Sequence, residues 1–79
     1  RANKVTKTLE QRLEIIFEYL AMNNLMQIIK EEQLDMIETK FELECKIVTK
    51  IRLTKIDLTM TRILKLDGII SCQKLSEAY

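Results

Sequence analysis

The scarcity of turn-forming residues most constrains what this chain can fold into. Glycine occurs once, at position 68, and proline does not occur in the 79 residues. Between Leu25 and Leu66 there is no asparagine either. A tight β-hairpin needs a residue that tolerates positive φ, or a proline-type turn, near its tip. A sheet with several short turns is therefore disfavoured, and long helices are favoured.

The spacing of apolar residues in the first half also favours helices. Leu9, Leu13, Ile16 and Leu20 recur at intervals of three and four, which places them on one helix face. Asn23-Asn24 interrupts this pattern, and Asp67-Gly68 provides a helix stop near the end of the chain. The sequence predicts an all-α fold, either a small helical bundle or an antiparallel helical hairpin. The predicted helices cover 8–22, 25–38 and 40–66.

The third predicted helix has a competing interpretation. From Phe41 to Ile47, apolar and charged residues alternate strictly, and the same alternation returns from Lys55 to Thr61. A period of two is typical of strands, and this region is rich in Ile, Val and Thr, which prefer strands. The alternative is therefore an α+β fold, with N-terminal helices followed by strands within 41–66.

Charge is segregated along the chain although the net charge is only +1. The acidic segment, residues 10–44, has nine acidic and three basic residues. The basic segment, residues 45–66, has six basic residues and one acidic residue, Asp57. Like charges spaced by four residues destabilise an isolated helix, so a basic surface opposite the acidic one would compensate. The sequence predicts pairing of the two segments, within one chain or between two copies.

Several classes of function are excluded or disfavoured by composition. The chain has no histidine, which excludes Ser-His-Asp and Cys-His catalysis within it. A single glycine leaves no phosphate-binding Gly-rich loop. We predict no enzyme activity, no cofactor and no metal site. The longest uncharged run, Tyr19 to Ile29, is far below the roughly 20 apolar residues of a membrane span, so no membrane association is expected.

Two cysteines, Cys45 and Cys72, are too few for a disulfide scaffold. We expect reduced thiols in an intracellular protein, with a single bridge between Cys45 and Cys72 as the alternative. Residues 1–79 would form a single small domain or a fragment of a larger protein. At this size one apolar core is only marginally stable, so burial against a partner would contribute.

The sequence therefore predicts a non-enzymatic module for protein–protein interaction or oligomerisation, acting through a helical apolar seam. Its partner would be a protein, including a second copy of itself. The residues predicted for packing or partner binding are Leu13, Ile16, Leu20, Met26, Ile29, Ile37, Phe41 and Val48. The residues predicted for charge pairing are Glu14, Glu18, Asp35, Glu38, Lys50, Lys55 and Arg62. The alternative is a nucleic-acid-binding module that uses the basic segment to contact phosphates.

Overall fold

A computed structural model describes residues 10–75. It contains four strands and two α-helices in the order β-α-β-β-α-β, with a short 3-10 turn at Tyr19–Ala21 before the first helix. The elements are β1 Glu10–Phe17, α1 Met22–Glu31, β2 Asp35–Lys40, β3 Cys45–Arg52, α2 Leu53–Leu64 and β4 Ile69–Leu75.

The four strands form one antiparallel sheet in the order β2-β3-β1-β4. The inner strands β1 and β3 pair over their whole length, from Glu10 opposite Arg52 to Phe17 opposite Cys45. The strands β2 and β4 form the two edges of the sheet. Each helix connects two strands and packs its apolar stripe onto the same face of the sheet, here called the helix side.

The core lies between the helix side of the sheet and the two helices. Alternate residues of β1 and β3 point inward because side chains of a strand alternate between its two faces. The inward side chains of Leu13, Ile15 and Phe17 in β1 are completely buried. The buried residues of the cluster are Leu13, Ile15, Phe17, Ala21, Leu25, Ile28, Ile29, Cys45, Ile47, Ile51, Ile56 and Ile63.

The predicted all-α fold is wrong, because the described chain is α+β and contains neither a helical bundle nor a coiled coil. The helix predicted over 8–22 is replaced within the described residues by β1 and the 3-10 turn. Both Ile15 and Ile16 are apolar, so the same stretch satisfies the helical spacing and the strand alternation Leu13, Ile15, Phe17. Strand pairing on both sides of β1 decides between them, since non-local contacts override local propensity.

The helices predicted over 25–38 and 40–66 are also wrong in extent. The first ends at Glu31, and the chain then forms β2. The second is divided into β3 and α2, so the alternation after Lys55 belongs to a helix. The α+β alternative is correct in class, although the first element of the described residues is the strand β1 and not a helix. Gly68 has the expected left-handed conformation, with a φ of 91°, but it does not cap the helix. Helix α2 ends earlier, at Leu64 with Lys65 as its C-cap, and Gly68 lies in the turn before β4.

The turns form without the expected glycine or asparagine. Gln33 has a φ of 56° and reverses the chain between α1 and β2. The amide of Leu34 donates to the carbonyl of Ile29, which closes this turn. The connection between β2 and β3 covers 41–44 and has no residue with positive φ. Four-residue hairpin loops are commonly built on type I turns, which accept most residue types.

Candidate functional site

The most accessible element of the sheet is the edge strand β2. Among the described strands, β2 pairs only with β3, and all six of its residues are exposed. An edge strand presents unpaired backbone N–H and C=O groups along its outer side. A strand from another chain can therefore extend the sheet at this position.

Apolar side chains are concentrated at this edge. Met36 and Ile37 are each 44% exposed on β2, and Phe41 is 53% exposed just after it. Leu43 is fully exposed in the following loop. Large apolar side chains that cluster on an exposed edge are typical of protein-binding surfaces. We call residues 34–41 the β2 edge.

The pairing of β2 with β3 fixes the face on which each side chain lies. Met36 and Thr39 lie opposite the buried residues Thr49 and Ile47, and they are therefore on the helix side. The other face of the sheet is here called the outer face, and it carries Asp35, Glu38 and Lys40 of β2 opposite Lys50, Val48 and Lys46 of β3. The register shifts between Met36 and Glu38, so Ile37 is the extra residue of a β-bulge.

A shallow apolar cavity opens beside the β2 edge on the helix side. Its volume is about 390 Å³. The end of α1, the turn that follows it and the start of β2 form its walls. The lining residues are Met26, Ile29, Lys30, Gln33, Leu34 and Met36. Methionine side chains adapt to different shapes, which suits a pocket that receives an apolar group.

The outer face of the sheet carries charges of both signs. Nζ of Lys46 lies 2.9 Å from a carboxylate oxygen of Glu38, between neighbouring strands. This hydrogen bond from Lys46 is the main cause that lowers the pKa of Glu38. On the other side, the amide of Gln73 donates to Glu14 at 3.0 Å. Val48 lies between Glu14 and Glu38 in the register and is only 4% exposed.

A second charged cluster connects the two helices. The guanidinium of Arg62 donates to carboxylate oxygens of Glu31 and Glu32, each at 2.8 Å. Nζ of Lys55 lies 4.0 Å from Glu32. The hydrogen bond from Arg62, followed by one from Gln27, lowers the pKa of Glu31. This cluster lies at one side of a groove of about 400 Å³ between α1 and α2.

The residues predicted for packing are divided between the core and the surface. Leu13, Ile29 and Val48 are buried, Val48 on the outer face, and Met26 is partly buried against the core. Ile16 is half-buried on the outer face. The remaining three, Leu20, Ile37 and Phe41, are exposed.

The residues predicted for charge pairing do not form one surface. Lys55 contacts Glu32, just after α1, and Arg62 contacts both Glu32 and Glu31 of α1. The other four, Glu14, Asp35, Glu38 and Lys50, lie on the outer face of the sheet. Glu18 lies at the end of β1, where its backbone amide donates to the carbonyl of Gly68. Sequence analysis missed Lys46, the cation that contacts Glu38, and the acids Glu31 and Glu32 that contact Arg62.

The described residues hold no group of three or more metal-ligating side chains of the His, Cys, Asp or Glu types. Cys45 and Cys72 are both free thiols. Within residues 10–75, neither helix has the length and apolar character that crossing a membrane requires. The absence of enzyme activity and of cofactors and the intracellular location all remain predictions.

Comparison by sequence gives no assignment, since no protein family and no curated protein match the chain. Comparison of structures gives a clear fold. The chain is similar to the ACT domain of GTP pyrophosphokinase from Chlorobium tepidum, with a TM-score of 0.66 and 14% identity, over 87% of this chain and 100% of that one. It is also similar to the C-terminal domain of the MgtC protein from Mycobacterium tuberculosis, with a TM-score of 0.63 and 6% identity, over 98% of this chain and 94% of that one. The fold is therefore ACT-like.

Proposed function

We propose that this chain is a non-catalytic interaction domain of a larger protein, and that it associates with protein through the β2 edge. The observation that carries this proposal is that all six residues of β2 are exposed, together with the exposed apolar side chains of Met36, Ile37 and Phe41. Backbone pairing would supply affinity, and the apolar side chains would add buried area.

The structural neighbours support a role as part of a larger protein. One is a domain of a GTP pyrophosphokinase, and the other is the C-terminal domain of MgtC. In both cases the ACT-like unit is one domain of a longer protein. A small domain with a single apolar core also gains stability when it buries further apolar surface against a partner.

A photo-crosslinking amino acid at position 37 tests the use of the β2 edge in cells. The matched control is the same replacement at position 70, because Ile37 and Ile70 are exposed isoleucines on opposite edge strands. The proposal expects protein adducts from position 37 and few from position 70. Equal yields from both positions, or none from position 37, would contradict it.

Ile37→Lys provides a second readout with purified protein. A lysine on the edge strand opposes the addition of another strand. Sedimentation velocity should show weaker association for Ile37→Lys than for Ile70→Lys, with both variants folded by circular dichroism. Association that is unchanged by Ile37→Lys would show that another surface is used.

Nucleic-acid binding is the second candidate, and one observation favours it. The α+β fold places Lys46, Lys50 and Arg52 on the same face of β3. Acidic residues adjoin them, with Glu38 paired to Lys46 and Asp35 opposite Lys50. Phosphate binding releases counterions and weakens steeply with salt, so fluorescence anisotropy with a labelled single-stranded RNA at rising salt separates this candidate from edge pairing.

A further inference from the structure

We infer that the groove between α1 and α2 is a second docking surface and that it receives an acidic amphipathic helix of a protein partner. This surface is separate from the β2 edge, since no residue of the range 34–41 lines the groove. Its shape, an exposed leucine in its wall and incompletely paired positive charge beside this leucine lead to the same partner.

Two adjoining cavities form the groove. The first has a volume of about 400 Å³ and lies between α1 and the end of α2. The second has a volume of about 390 Å³ and extends toward the start of α2, where Lys55 and Leu58 line it. Arg62 and Lys65 line both cavities, so the groove is continuous along α2.

The walls of the groove are helices, which determines the form of the partner. The backbone groups within a helix bond to one another, so the groove offers no row of free N–H and C=O groups to an added strand. A partner helix satisfies its own backbone groups and presents an apolar stripe to the groove. The wall from Lys55 to Lys65 is about 15 Å long, which matches about three turns of a partner helix.

Leu58 is the apolar anchor in the wall of α2. Its side chain is 75% exposed, which is the largest exposed fraction among the large apolar side chains of the two helices. The buried side chain of Ile28 and the partly buried side chain of Leu66 line the adjoining cavity. An apolar stripe that packs along the groove would remove Leu58 from water, and this burial favours association.

The positive charge along α2 determines the charge of the partner. Lys55, Leu58, Arg62 and Lys65 are spaced by three, four and three residues, which places them on one side of the helix. Among the described residues, Lys65 forms no ion pair, and Lys55 has only a contact of 4.0 Å with Glu32. Carboxylates of a partner would therefore meet two lysines that flank the exposed leucine.

Arg62 also keeps donors for a partner, although it is already paired. A guanidinium has five N–H groups, and that of Arg62 donates one hydrogen bond to Glu31 and one to Glu32. Its side chain is partly exposed, so the remaining N–H groups can reach a carboxylate of the partner. Three cations and two acids line the groove, which is therefore net positive and fits a helix with glutamate or aspartate beside its apolar stripe.

A designed peptide tests the groove with purified protein. The probe is a fluorescent, helix-stabilised peptide of about 14 residues, with leucines at spacings of three and four and glutamates beside this stripe. The control peptide has lysine at each glutamate position. Fluorescence anisotropy should show binding of the acidic peptide that is about tenfold or more tighter than that of the basic peptide.

Leu58→Ser and Leu64→Ser form a matched pair for the anchor. Both leucines are exposed on α2, but only Leu58 lines the groove. Leu58→Ser should weaken binding of the acidic peptide about tenfold or more, whereas Leu64→Ser should change it less than about twofold. Circular dichroism establishes that both variants are folded. Equal effects of the two variants would overturn the inference.

Lys65→Glu and Lys50→Glu form the corresponding pair for charge. Lys65 lines the groove, whereas Lys50 lies on the outer face of the sheet. Lys65→Glu should weaken binding of the acidic peptide, and Lys50→Glu should leave it nearly unchanged. The inference would be overturned if the acidic peptide does not bind, or if the acidic and basic peptides bind equally.

Other occupants of the groove give different outcomes. If a labelled single-stranded RNA binds and Lys65→Glu weakens its binding more than that of the acidic peptide, the occupant is nucleic acid and the inference is wrong. If the wild-type chain self-associates and Leu58→Ser abolishes this while Leu64→Ser does not, the occupant is a second copy. That result would also overturn the inference.

Photo-crosslinking amino acids at positions 58 and 64 carry the test into cells. We expect protein adducts from position 58 and few from position 64, and peptide mapping should place the adducts on acidic segments of the partner. Adducts on segments without acidic residues would overturn the inference. Because Ile37→Lys leaves the groove unchanged, the acidic peptide should bind this variant as it binds the wild type. Failure of this inference is therefore distinguishable from failure of the proposed function.

Discussion

The backbone amide of Glu18 donates a hydrogen bond of 2.7 Å to the carbonyl of Gly68. This contact fixes the start of β4 against the end of β1, and it requires Gly68 in a left-handed conformation with φ of 91°. A Cβ at position 68 would lie 3.0 Å from Cδ1 of Leu20 and 3.2 Å from Cβ of Ala21. Glycine is therefore required here, because the backbone is left-handed and because a Cβ atom would lie too close to Leu20 and Ala21.

We expect Gly68→Ala to lower the free energy of unfolding by about 1–2 kcal/mol, since an L-residue in this conformation is strained. Urea unfolding monitored by circular dichroism measures this difference. The neighbouring variant Asp67→Ala, at a position without positive φ, serves as the control. Equal stabilities for Gly68→Ala and wild type would contradict the strain argument.

Arg62→Met should raise the pKa of Glu31 toward its ordinary value of 4.5, because a hydrogen bond from Arg62 is the main cause of its lowering. Since the folded pKa lies below that of the unfolded chain, the pairing stabilises the fold above about pH 4.5, and this stabilisation is lost as the pH falls through the lowered value. Carboxyl NMR titration measures the shift. Lys65→Met, also on the exposed side of the groove between the helices, should leave the pKa of Glu31 in place.

The Cys72 thiol should react slowly with alkylating agents in the folded protein. Burial raises the pKa of Cys72 to about 11 from an ordinary value of 9.0. The thiolate is the reactive form, so at pH 8 we expect alkylation about 100-fold slower than for an unfolded chain. Iodoacetamide labelling followed by peptide mapping measures Cys72 separately from Cys45. Rates that match those in urea would contradict this expectation.

The raised pKa of Cys72 also makes the free energy of unfolding depend on pH in the alkaline range. The unfolded thiol loses its proton near pH 9.0, whereas the folded thiol of Cys72 keeps it until about pH 11. The unfolded state therefore binds fewer protons between these values, and the free energy of unfolding should fall as the pH rises through this range. Cys72→Ser should remove this part of the alkaline decline.

We expect Thr49→Val to leave the free energy of unfolding unchanged or to raise it. Thr49 is completely buried in β3, and its hydroxyl has no hydrogen-bond partner among the described residues. Replacing a buried unsatisfied hydroxyl with a methyl group of similar shape removes its desolvation cost, which is about 1–3 kcal/mol. Thr39→Val on the exposed strand β2 should change the free energy of unfolding much less. A lower free energy of unfolding for Thr49→Val would reveal a partner for this hydroxyl.

In the two inner strands, the alternation of apolar and polar residues is compatible with a sheet, but the scarcity of turn-forming residues favours helices. Apolar and charged residues alternate from Phe41 to Ile47, but no glycine or asparagine lies nearby, so the sequence favours a helix over this stretch. Gln33 supplies a left-handed turn that few residues other than glycine, asparagine and aspartate are expected to adopt. Local turn chemistry is therefore a poor guide in this chain. The alternation of apolar and charged residues is a good guide to the start of β3, whereas in β1 the helical and strand patterns coincide and strand pairing decides between them.

The charged cluster could be predicted from the sequence in part, whereas the exposed position of the β2 edge could not. The opposite charges of the two segments predict contacts of the kind that Arg62 makes with Glu31 and Glu32, although these two acids are not among the residues predicted for charge pairing. The sequence predicts Ile37 and Phe41 as apolar helix positions, whereas the structure places them at an exposed sheet edge. Nothing local identifies an edge strand, because strand order depends on pairing between distant segments.

The extra residue in β2 also sets how this strand would respond to a change in its length. Met36 and Thr39 are three residues apart in the chain, yet both lie on the helix side of the sheet. An uninterrupted strand would place residues three apart on opposite faces. Removal of Ile37 would leave Asp35, Met36, Glu38, Thr39 and Lys40 in strict alternation, so one residue can be gained or lost at this position while every other side chain of the strand keeps its face.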